Sequence, residues 1–260
     1  MTPNRSARAL KLQCTASELP AALLFDCDGV LVDTERDGHR VTFNQAFKEK
    51  GLTCEWGVEE YGELVKIGGG KERMTKYFSV DHPGEEPWVS LKTQEEQVEY
   101  VKNMHLLKTD LFSKMIESGA LPLRPGVARL VAEAIAAGVT VAVCSTSNEK
   151  AVSTIVRVML GEEVAKVMRV FAGDCVPKKK PAPDIYLLAA NELNVDPARC
   201  VVIEDSHIGV QAAKSAGMKC IVTTSGYTAD EDFSLADVVY PYLGDEDDVK
   251  VTLQDLCNLL

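Results

Sequence analysis

Short apolar runs recur along the chain, and helical patterns separate them. Continuous apolar runs of this length are typical of strands that are buried on both faces of a parallel sheet. The alternation predicts an α/β fold with a doubly wound, Rossmann-like parallel sheet and right-handed crossovers. The predicted strands are Ala21–Phe25, Val139–Cys144, Cys200–Ile203 and Lys219–Thr223.

One long segment, residues 35–119, breaks this alternation. It is rich in helix-forming residues, and Gln97–Ile116 alternates charged positions with apolar ones. We therefore predict an inserted α-helical cap domain at 35–119 and an α/β core formed by 21–34 and 120–260. Residues 1–20 are predicted to be an N-terminal extension.

The N-terminal extension has a composition of its own. Arg5, Arg8 and Lys11 are basic, and no acidic residue occurs before Glu18. Two interpretations stay open, the remnant of an organelle-targeting transit peptide and an ordinary chain terminus. An apolar secretory segment is absent from this sequence, so export is not expected.

Charge and cysteine usage exclude several classes of protein. The 260 residues contain 28 Lys+Arg and 39 Asp+Glu, which gives a net charge of −11. An acidic chain is a poor binder of nucleic acid or of an anionic membrane surface, because both need a basic face. No apolar run approaches the roughly 20 residues of a membrane-spanning helix. The eight cysteines form no Cys-x-x-Cys pair, so we interpret them as buried thiols rather than zinc ligands or disulfides.

Polar side chains follow three of the predicted strands. Ligands of an open parallel sheet bind beyond the carboxyl ends of its strands, so these side chains should meet at one edge. Each pair alone is a weak signal, because a loop carboxylate or a helix cap also explains it, but their joint placement favours a site. The pairs are Asp26 and Asp28, Ser145 and Thr146, and Glu204 and Asp205.

Four carboxylates in one small volume repel each other unless a dication or shifted pKa values relieve them. A ligand set made only of oxygen suits Mg²⁺ better than zinc. With Lys180 and the hydroxyl and amide groups of Ser145 and Thr146 nearby, such a site suits a phosphoryl group under in-line attack.

These residues resemble, in family order, the four motifs of the haloacid dehalogenase-like hydrolases. The resemblance implies that Asp26 is the nucleophile that forms an aspartyl-phosphate and that Asp28 acts as acid and then as base. It also implies a Mg²⁺ ion held by the Asp26 carboxylate, the Asp28 carbonyl and Asp205, with Glu204 adjacent or supporting. The matching residues are Asp26-Cys27-Asp28-Gly29-Val30, Ser145, Lys180 and Glu204-Asp205.

Further stretches resemble the CbbY-type proteins within that family. They are Asp33-Thr34-Glu35, His39, Tyr61, Gly68–Arg73 and Cys144–Lys150. CbbY-type proteins are xylulose-1,5-bisphosphate phosphatases that remove an inhibitor of ribulose-bisphosphate carboxylase, and their plant and algal forms are chloroplastic. The resemblance implies this Mg²⁺-dependent activity, a sugar bisphosphate as partner, and the chloroplast stroma as location, with the cytoplasm as the alternative. We expect a monomer.

A sugar bisphosphate needs a second anion site and hydroxyl recognition, and the cap is expected to supply both. Glu35 and His39 open the cap, and the glycine-rich loop with Lys71 and Arg73 offers amides and charge. The alternatives are a plain turn for the glycines and a solvated helix face for Arg73. The predicted substrate-binding residues are Asp26, Glu35, His39, Tyr61, Gly69, Gly70, Lys71, Arg73, Thr146, Ser147 and Asn148.

Three other functions stay open from the sequence. A sugar-phosphate mutase of the β-phosphoglucomutase type shares every core motif, and a phosphoglycolate phosphatase shares the chemistry. A mutase must shield its aspartyl-phosphate from water, and the resemblance implies no carboxylate at the position of Glu35 in the mutase branch, so Glu35 favours a phosphatase. The polar pair Glu35 and His39 favours a larger polyol over phosphoglycolate. A non-catalytic scaffold with this fold is disfavoured, since Asp26 and Asp28 are both intact.

Overall fold

A six-stranded parallel sheet forms the centre of the computed structural model, which describes residues 15, 18–67, 70–173, 175–246 and 248–260. The strands lie in the order β3-β2-β1-β4-β5-β6, so the predicted parallel sheet is confirmed. The short edge strands β3 and β6 had no clear apolar pattern and were not predicted. The strands are Ala22–Phe25 (β1), Thr140–Ser145 (β2), Arg169–Ala172 (β3), Cys200–Glu204 (β4), Lys219–Thr223 (β5) and Val238–Tyr240 (β6).

The predicted insertion between β1 and β2 contains helices joined by loops, and no strand occurs among its described residues. A hydrophobic cluster of its own, around the buried Trp56, Phe43 and Phe47, holds these helices together. The domain boundaries at 34/35 and 119/120 stay a prediction, which this separate cluster supports. The helices are α1 (Arg40–Glu49), α2 (Val58–Val65), α3 (Gly70–Lys76) and α4 (Gln94–Glu117), with π-helical turns at Thr34–His39 and Tyr77–Asp81.

The remaining helices cover both faces of the sheet. Side chains of β1 alternate, so that Leu23 and Phe25 pack into the cluster beside α5, whereas Ala22 and Leu24 pack into the cluster beside α8 and α9. These helices are α5 (Val127–Ala136), α6 (Glu149–Ile155), α7 (Glu162–Val167), α8 (Asp184–Leu193), α9 (His207–Ser215) and α10 (Leu253–Cys257), with a π-helical turn at Val156–Leu160 and a 3₁₀ turn at Pro197–Arg199.

Most of the cysteines in the described part are buried, as the sequence predicted. Of the seven cysteines in the described part, five are buried, whereas Cys175 is exposed. Across the described residues, no helix combines the length and the apolar character that a membrane span requires. Most of the predicted extension at residues 1–20 lies outside the described residues.

Candidate active site

The carboxyl ends of neighbouring strands bring the predicted catalytic side chains together. Asp26 follows β1 directly, and Glu204 is the last residue of β4. The buried amine of Lys180 donates to Asp26 Oδ1 at 2.6 Å, to Glu204 Oε1 at 2.7 Å and to the Cys144 carbonyl at 2.9 Å. One amine therefore links the ends of three strands and compensates two buried carboxylates.

Glu204 is fully buried and has hydrogen-bond partners on both oxygens. The Tyr186 hydroxyl donates to Oε1 at 2.6 Å, while the Asp205 amide and the Ser206 hydroxyl donate to Oε2 at 3.1 and 3.2 Å. Gly209 in α9 leaves room for this carboxylate, because a Cβ there would lie 2.0 Å from Glu204 Cδ. These contacts fix Glu204 and support its predicted place beside the metal ligands.

An acidic cluster is formed by Asp26, Glu204 and Asp205, which offer ligand oxygens within 4.8 Å of one another. Burial raises the pKa of Asp26 to about 7, against the opposing effect of Lys180, and burial raises the pKa of Asp205 well above its usual range. A hard dication would relieve this cost, and oxygen-only ligands fit Mg²⁺. The cluster can therefore hold a metal ion.

Gly29 brings the loop after β1 close to this cluster. Its φ of +80° lies in the left-handed region, and a Cβ at this position would lie 1.9 Å from Asp205 Oδ2. Only glycine meets both conditions without displacing the carboxylate. The sequence Asp28-Gly29 thus combines a predicted catalytic side chain with the close backbone approach that the cluster needs.

The Asp28 carboxylate is held by hydroxyl groups. Thr34 Oγ1 donates to its Oδ1 at 2.5 Å, and Ser147 Oγ donates to its Oδ2 at 2.5 Å, with Ser145 Oγ at 3.4 Å. Asp28 also lines a cavity of about 380 Å³ that extends between α4 and α6. The carboxylate is therefore oriented toward the space where a substrate can lie.

A buried network on the cap side of the cavity joins three of the predicted substrate residues. Arg73 Nη1 lies 3.1 Å from Glu35 Oε2 and donates to the Tyr61 hydroxyl at 2.7 Å, and that hydroxyl donates to Glu35 at 2.7 Å. Arg73 is only 9% exposed, so it does not lie on a solvated helix face. Glu35 and Arg73 line the cavity, whereas Tyr61 lies behind them, fully buried.

The sequence reasoning missed Lys108, which is buried beside His39 in the same cavity. Its Nζ lies 2.7 Å from His39 Nδ1 and about 5 Å from the ring centres of Phe43 and Phe112. Burial and the neighbouring ammonium lower the pKa of His39 to about 3, and burial lowers the pKa of Lys108 to about 8. His39 is therefore neutral, with an accepting Nδ1 and a proton on Nε2.

A signal for Lys108 was present in the sequence. Val101, Met104, Lys108 and Leu111 recur at helical spacing along α4, and all four are buried. A lysine within an apolar stripe is expensive to bury unless it has a function or a partner. The position could have been singled out on this ground alone.

The other predicted substrate residues have different surroundings. Gly70 and Asn148 line the cavity, and the Asn148 side chain also accepts from the Lys150 amide at 3.1 Å. Lys71 and Thr146 are exposed and are not among the residues that line the cavity. Gly69 lies outside the described residues. Substrate contacts of these residues stay predictions.

Known proteins are similar to this chain in sequence. The family model for haloacid dehalogenase-like hydrolases matches residues 20–217. A CBBY-like protein of Arabidopsis thaliana is 58% identical in an alignment that covers 98% of this chain and 81% of the relative. Protein CbbY of Cereibacter sphaeroides is 40% identical over 83% of this chain and 89% of its own length.

A solved structure of a CbbY protein is similar to this chain in fold and in sequence. CbbY from Rhodobacter sphaeroides, crystallised as an aspartate-to-asparagine mutant in complex with xylulose-1,5-bisphosphate, matches with a TM-score of 0.70 and 38% identity. The match covers 87% of this chain and 96% of that chain. The four motifs predicted from the sequence and the acidic cluster at the sheet edge agree with these relationships. This chain belongs to the haloacid dehalogenase-like hydrolases and, among them, to the CbbY proteins.

Proposed function

We propose that this protein is a Mg²⁺-dependent phosphatase that hydrolyses xylulose-1,5-bisphosphate to xylulose 5-phosphate and inorganic phosphate. The observation that carries the proposal is the junction at Asp28, where the acidic cluster meets a cavity lined by Arg73, Lys108 and Lys150. A dianionic sugar phosphate is attracted to such a cavity. A 38% identical CbbY structure contains this bisphosphate, which supports the choice of substrate.

The metal ligands that we propose are the carboxylates of Asp26 and Asp205 and the carbonyl of Asp28. Glu204 supports them, because Lys180 and Tyr186 occupy its Oε1. When bound, Mg²⁺ supplies positive charge that stabilises the oxygens of the transferring phosphoryl group.

In the first step, the Asp26 carboxylate attacks phosphorus in line with the scissile P–O bond. That bond breaks as Asp28 gives its proton to the leaving sugar oxygen, and an aspartyl-phosphate forms. Lys180 favours the ionised nucleophile, since its ammonium lowers the pKa of Asp26 against the effect of burial. Ser145 and Thr146 are the proposed donors to the phosphoryl oxygens.

In the second step, a water molecule attacks phosphorus and the bond to Asp26 breaks. Asp28, now a carboxylate, takes the proton of that water, and inorganic phosphate leaves. Thr34 and Ser147 hold Asp28 in place through both steps, because they donate to its two oxygens.

Recognition of the sugar is assigned to the cap side of the cavity. Glu35 and the Nε2 proton of His39 are placed to bind hydroxyl groups, whereas Arg73, Lys108 and Lys71 are the candidates for the second phosphate. A single-phosphate substrate such as 2-phosphoglycolate would leave the buried ammonium of Lys108 without a counter-ion. The polar cap side therefore favours a bisphosphate of a polyol.

The location that we propose is the chloroplast stroma, and the proposed state is a monomer. The 58% identical relative is a plant protein, which supports a plant source for this chain. Fractionation of a tagged full-length protein would test the location, and sedimentation of the purified chain would test the monomer.

The function is tested by measuring inorganic phosphate release from a panel of substrates with Mg²⁺ and with EDTA. The panel contains xylulose-1,5-bisphosphate, ribulose-1,5-bisphosphate, β-glucose 1-phosphate and 2-phosphoglycolate. We expect Mg²⁺-dependent release with a strong preference for xylulose-1,5-bisphosphate. Preference for phosphoglycolate, or isomerisation of β-glucose 1-phosphate without phosphate release, would contradict the proposed substrate. Either result would still agree with the proposed catalytic residues. Unchanged turnover in EDTA would contradict the proposed dependence on Mg²⁺.

A further inference from the structure

A single arginine outside the four motifs holds the backbone around the acidic cluster. Arg124 lies in the connection between α4 and α5, where the chain returns from the helical insertion. Its Nη1 donates to the carbonyls of Gly29 and Thr223, and its Nη2 donates to the carbonyl of Thr224 at 2.5 Å and of Pro241 at 3.2 Å. One guanidinium therefore joins three separate chain segments.

Two of these segments lie next to Asp205. Gly29 approaches it so closely that a Cβ would lie 1.9 Å from the Asp205 carboxylate. Ser225, which follows the Thr224 carbonyl that Arg124 binds, lies close enough for its side chain to lower the pKa of Asp205 against the effect of burial. Asp205 is thus enclosed between two stretches of backbone, and Arg124 binds both of them.

We infer that Arg124 is a positioning residue for the metal site, which it serves by fixing Asp205 between the Gly29 loop and the segment after β5. The inference rests on the proposed Mg²⁺-dependent function. A carboxylate that is held in place before the metal binds loses less conformational freedom on binding. The Arg124 amide also donates to the Leu31 carbonyl at 2.9 Å, which adds a second attachment to the loop after Asp28.

The chemistry of the side chain explains why an arginine is needed. The planar guanidinium has several donors in a fixed fork, so that it can bind carbonyls of different segments at the same time. A lysine at this position has one flexible ammonium and cannot reproduce that arrangement, although it keeps the charge. Substitution by lysine therefore separates the effect of geometry from the effect of charge.

Arg129 provides a matched control on the neighbouring helix α5. It too binds backbone carbonyls, with Nη2 donating to Gly244 at 2.6 Å and to Val251 at 2.9 Å. Those carbonyls belong to the C-terminal segment and not to the two segments that enclose Asp205. The two arginines thus share a structural role, and only Arg124 is expected to affect metal binding.

The test follows thermal unfolding of full-length wild type, Arg124→Met, Arg124→Lys and Arg129→Met during a Mg²⁺ titration that starts in EDTA. The midpoint in EDTA reports intrinsic stability, and its rise with Mg²⁺ reports affinity without any substrate. We expect both arginine-to-methionine variants to unfold at lower temperature in EDTA. Arg124→Met should also bind Mg²⁺ about 10- to 100-fold more weakly, with Arg124→Lys in between and Arg129→Met unchanged.

Equal Mg²⁺ affinity in wild type and Arg124→Met would overturn the inference and leave Arg124 a purely structural residue. If Arg124→Met does not fold, Arg124→Lys decides the question by the same comparison. Wild type that shows no response to Mg²⁺ would contradict the proposed function itself, and the inference with it. A response of wild type that Arg124→Met shows at the same Mg²⁺ concentrations would contradict the inference alone.

Discussion

The catalytic centre and the cap side of the cavity both bury charged groups, but they neutralise them differently. In the catalytic centre, Lys180 lies within 2.7 Å of the carboxylates of Asp26 and Glu204. On the cap side, Glu35 pairs with Arg73, and Lys108 contacts neutral His39 and two aromatic rings. Among the described residues, no carboxylate lies within salt-bridge distance of the Lys108 ammonium.

This difference indicates that the two regions have separate roles, one in the reaction and one in substrate recognition. The catalytic centre is attached to the ends of adjacent strands, so that its geometry is fixed by the sheet. On the cap side, the buried Lys108 ammonium has no carboxylate partner among the described residues, and the second phosphate of the substrate would provide the missing negative charge. Damage to the first region should abolish turnover of every substrate, and damage to the second should affect only the larger, doubly charged one.

The largest effect is expected from Asp26→Asn. Asparagine keeps the size of the side chain but is not a nucleophile, so phosphate release should fall by at least about 10⁴-fold for every substrate. Phosphate release is measured with xylulose-1,5-bisphosphate and with p-nitrophenyl phosphate, and circular dichroism verifies the fold. Appreciable remaining turnover of either substrate would exclude the covalent mechanism.

His39→Ala should separate the two regions. Loss of the Nε2 donor and of the partner of Lys108 should lower kcat/KM for xylulose-1,5-bisphosphate by about 10- to 100-fold. Turnover of p-nitrophenyl phosphate should stay close to wild type, because that small ester needs only the catalytic centre. Equal losses on both substrates would show that His39 does not contact the sugar.

The third effect is on stability rather than on turnover, and it concerns the pH dependence that Lys108 contributes. Burial lowers its pKa from 10.5 to about 8, so that between these values the unfolded chain binds a proton that the folded chain has released. Stability therefore rises with pH through this window, by about 3 kcal/mol in total. Urea unfolding of wild type and Lys108→Met from pH 7 to 10.5 measures the difference. Parallel curves for the two proteins would contradict the lowered pKa.

The features that could be predicted from the sequence depend on residues that are close together in the chain. Asp26 directly follows β1 and Glu204 ends β4, so an apolar run next to a polar residue was enough to place both at one edge. The helical insertion was predicted for a similar reason, because 35–119 lacks strand-like runs. Family resemblance, rather than pattern, supplied the substrate and the individual roles.

The parts that were missed depend on contacts between distant helices. Lys108, which was missed, is 69 residues from its partner His39. Glu35 and Arg73 were both predicted, but the contact between them spans 38 residues and was not. Which faces of α1, α3 and α4 meet is decided by packing around Trp56, and a single sequence does not reveal it. Arg124 was missed for another reason. Its partners are backbone carbonyls, which every residue has, so the residue types at those positions do not reveal the contact.

Gly209 illustrates how the catalytic centre constrains the scaffold around it. An alanine is worth about 1 kcal/mol more than a glycine inside an exposed helix, which makes helical glycines common targets in protein stabilisation. In α9, however, the added methyl would overlap the Glu204 carboxylate, which holds Lys180. An engineer who searches this protein for thermostable variants would therefore lose activity at that position, because activity here depends on a locally unfavourable residue.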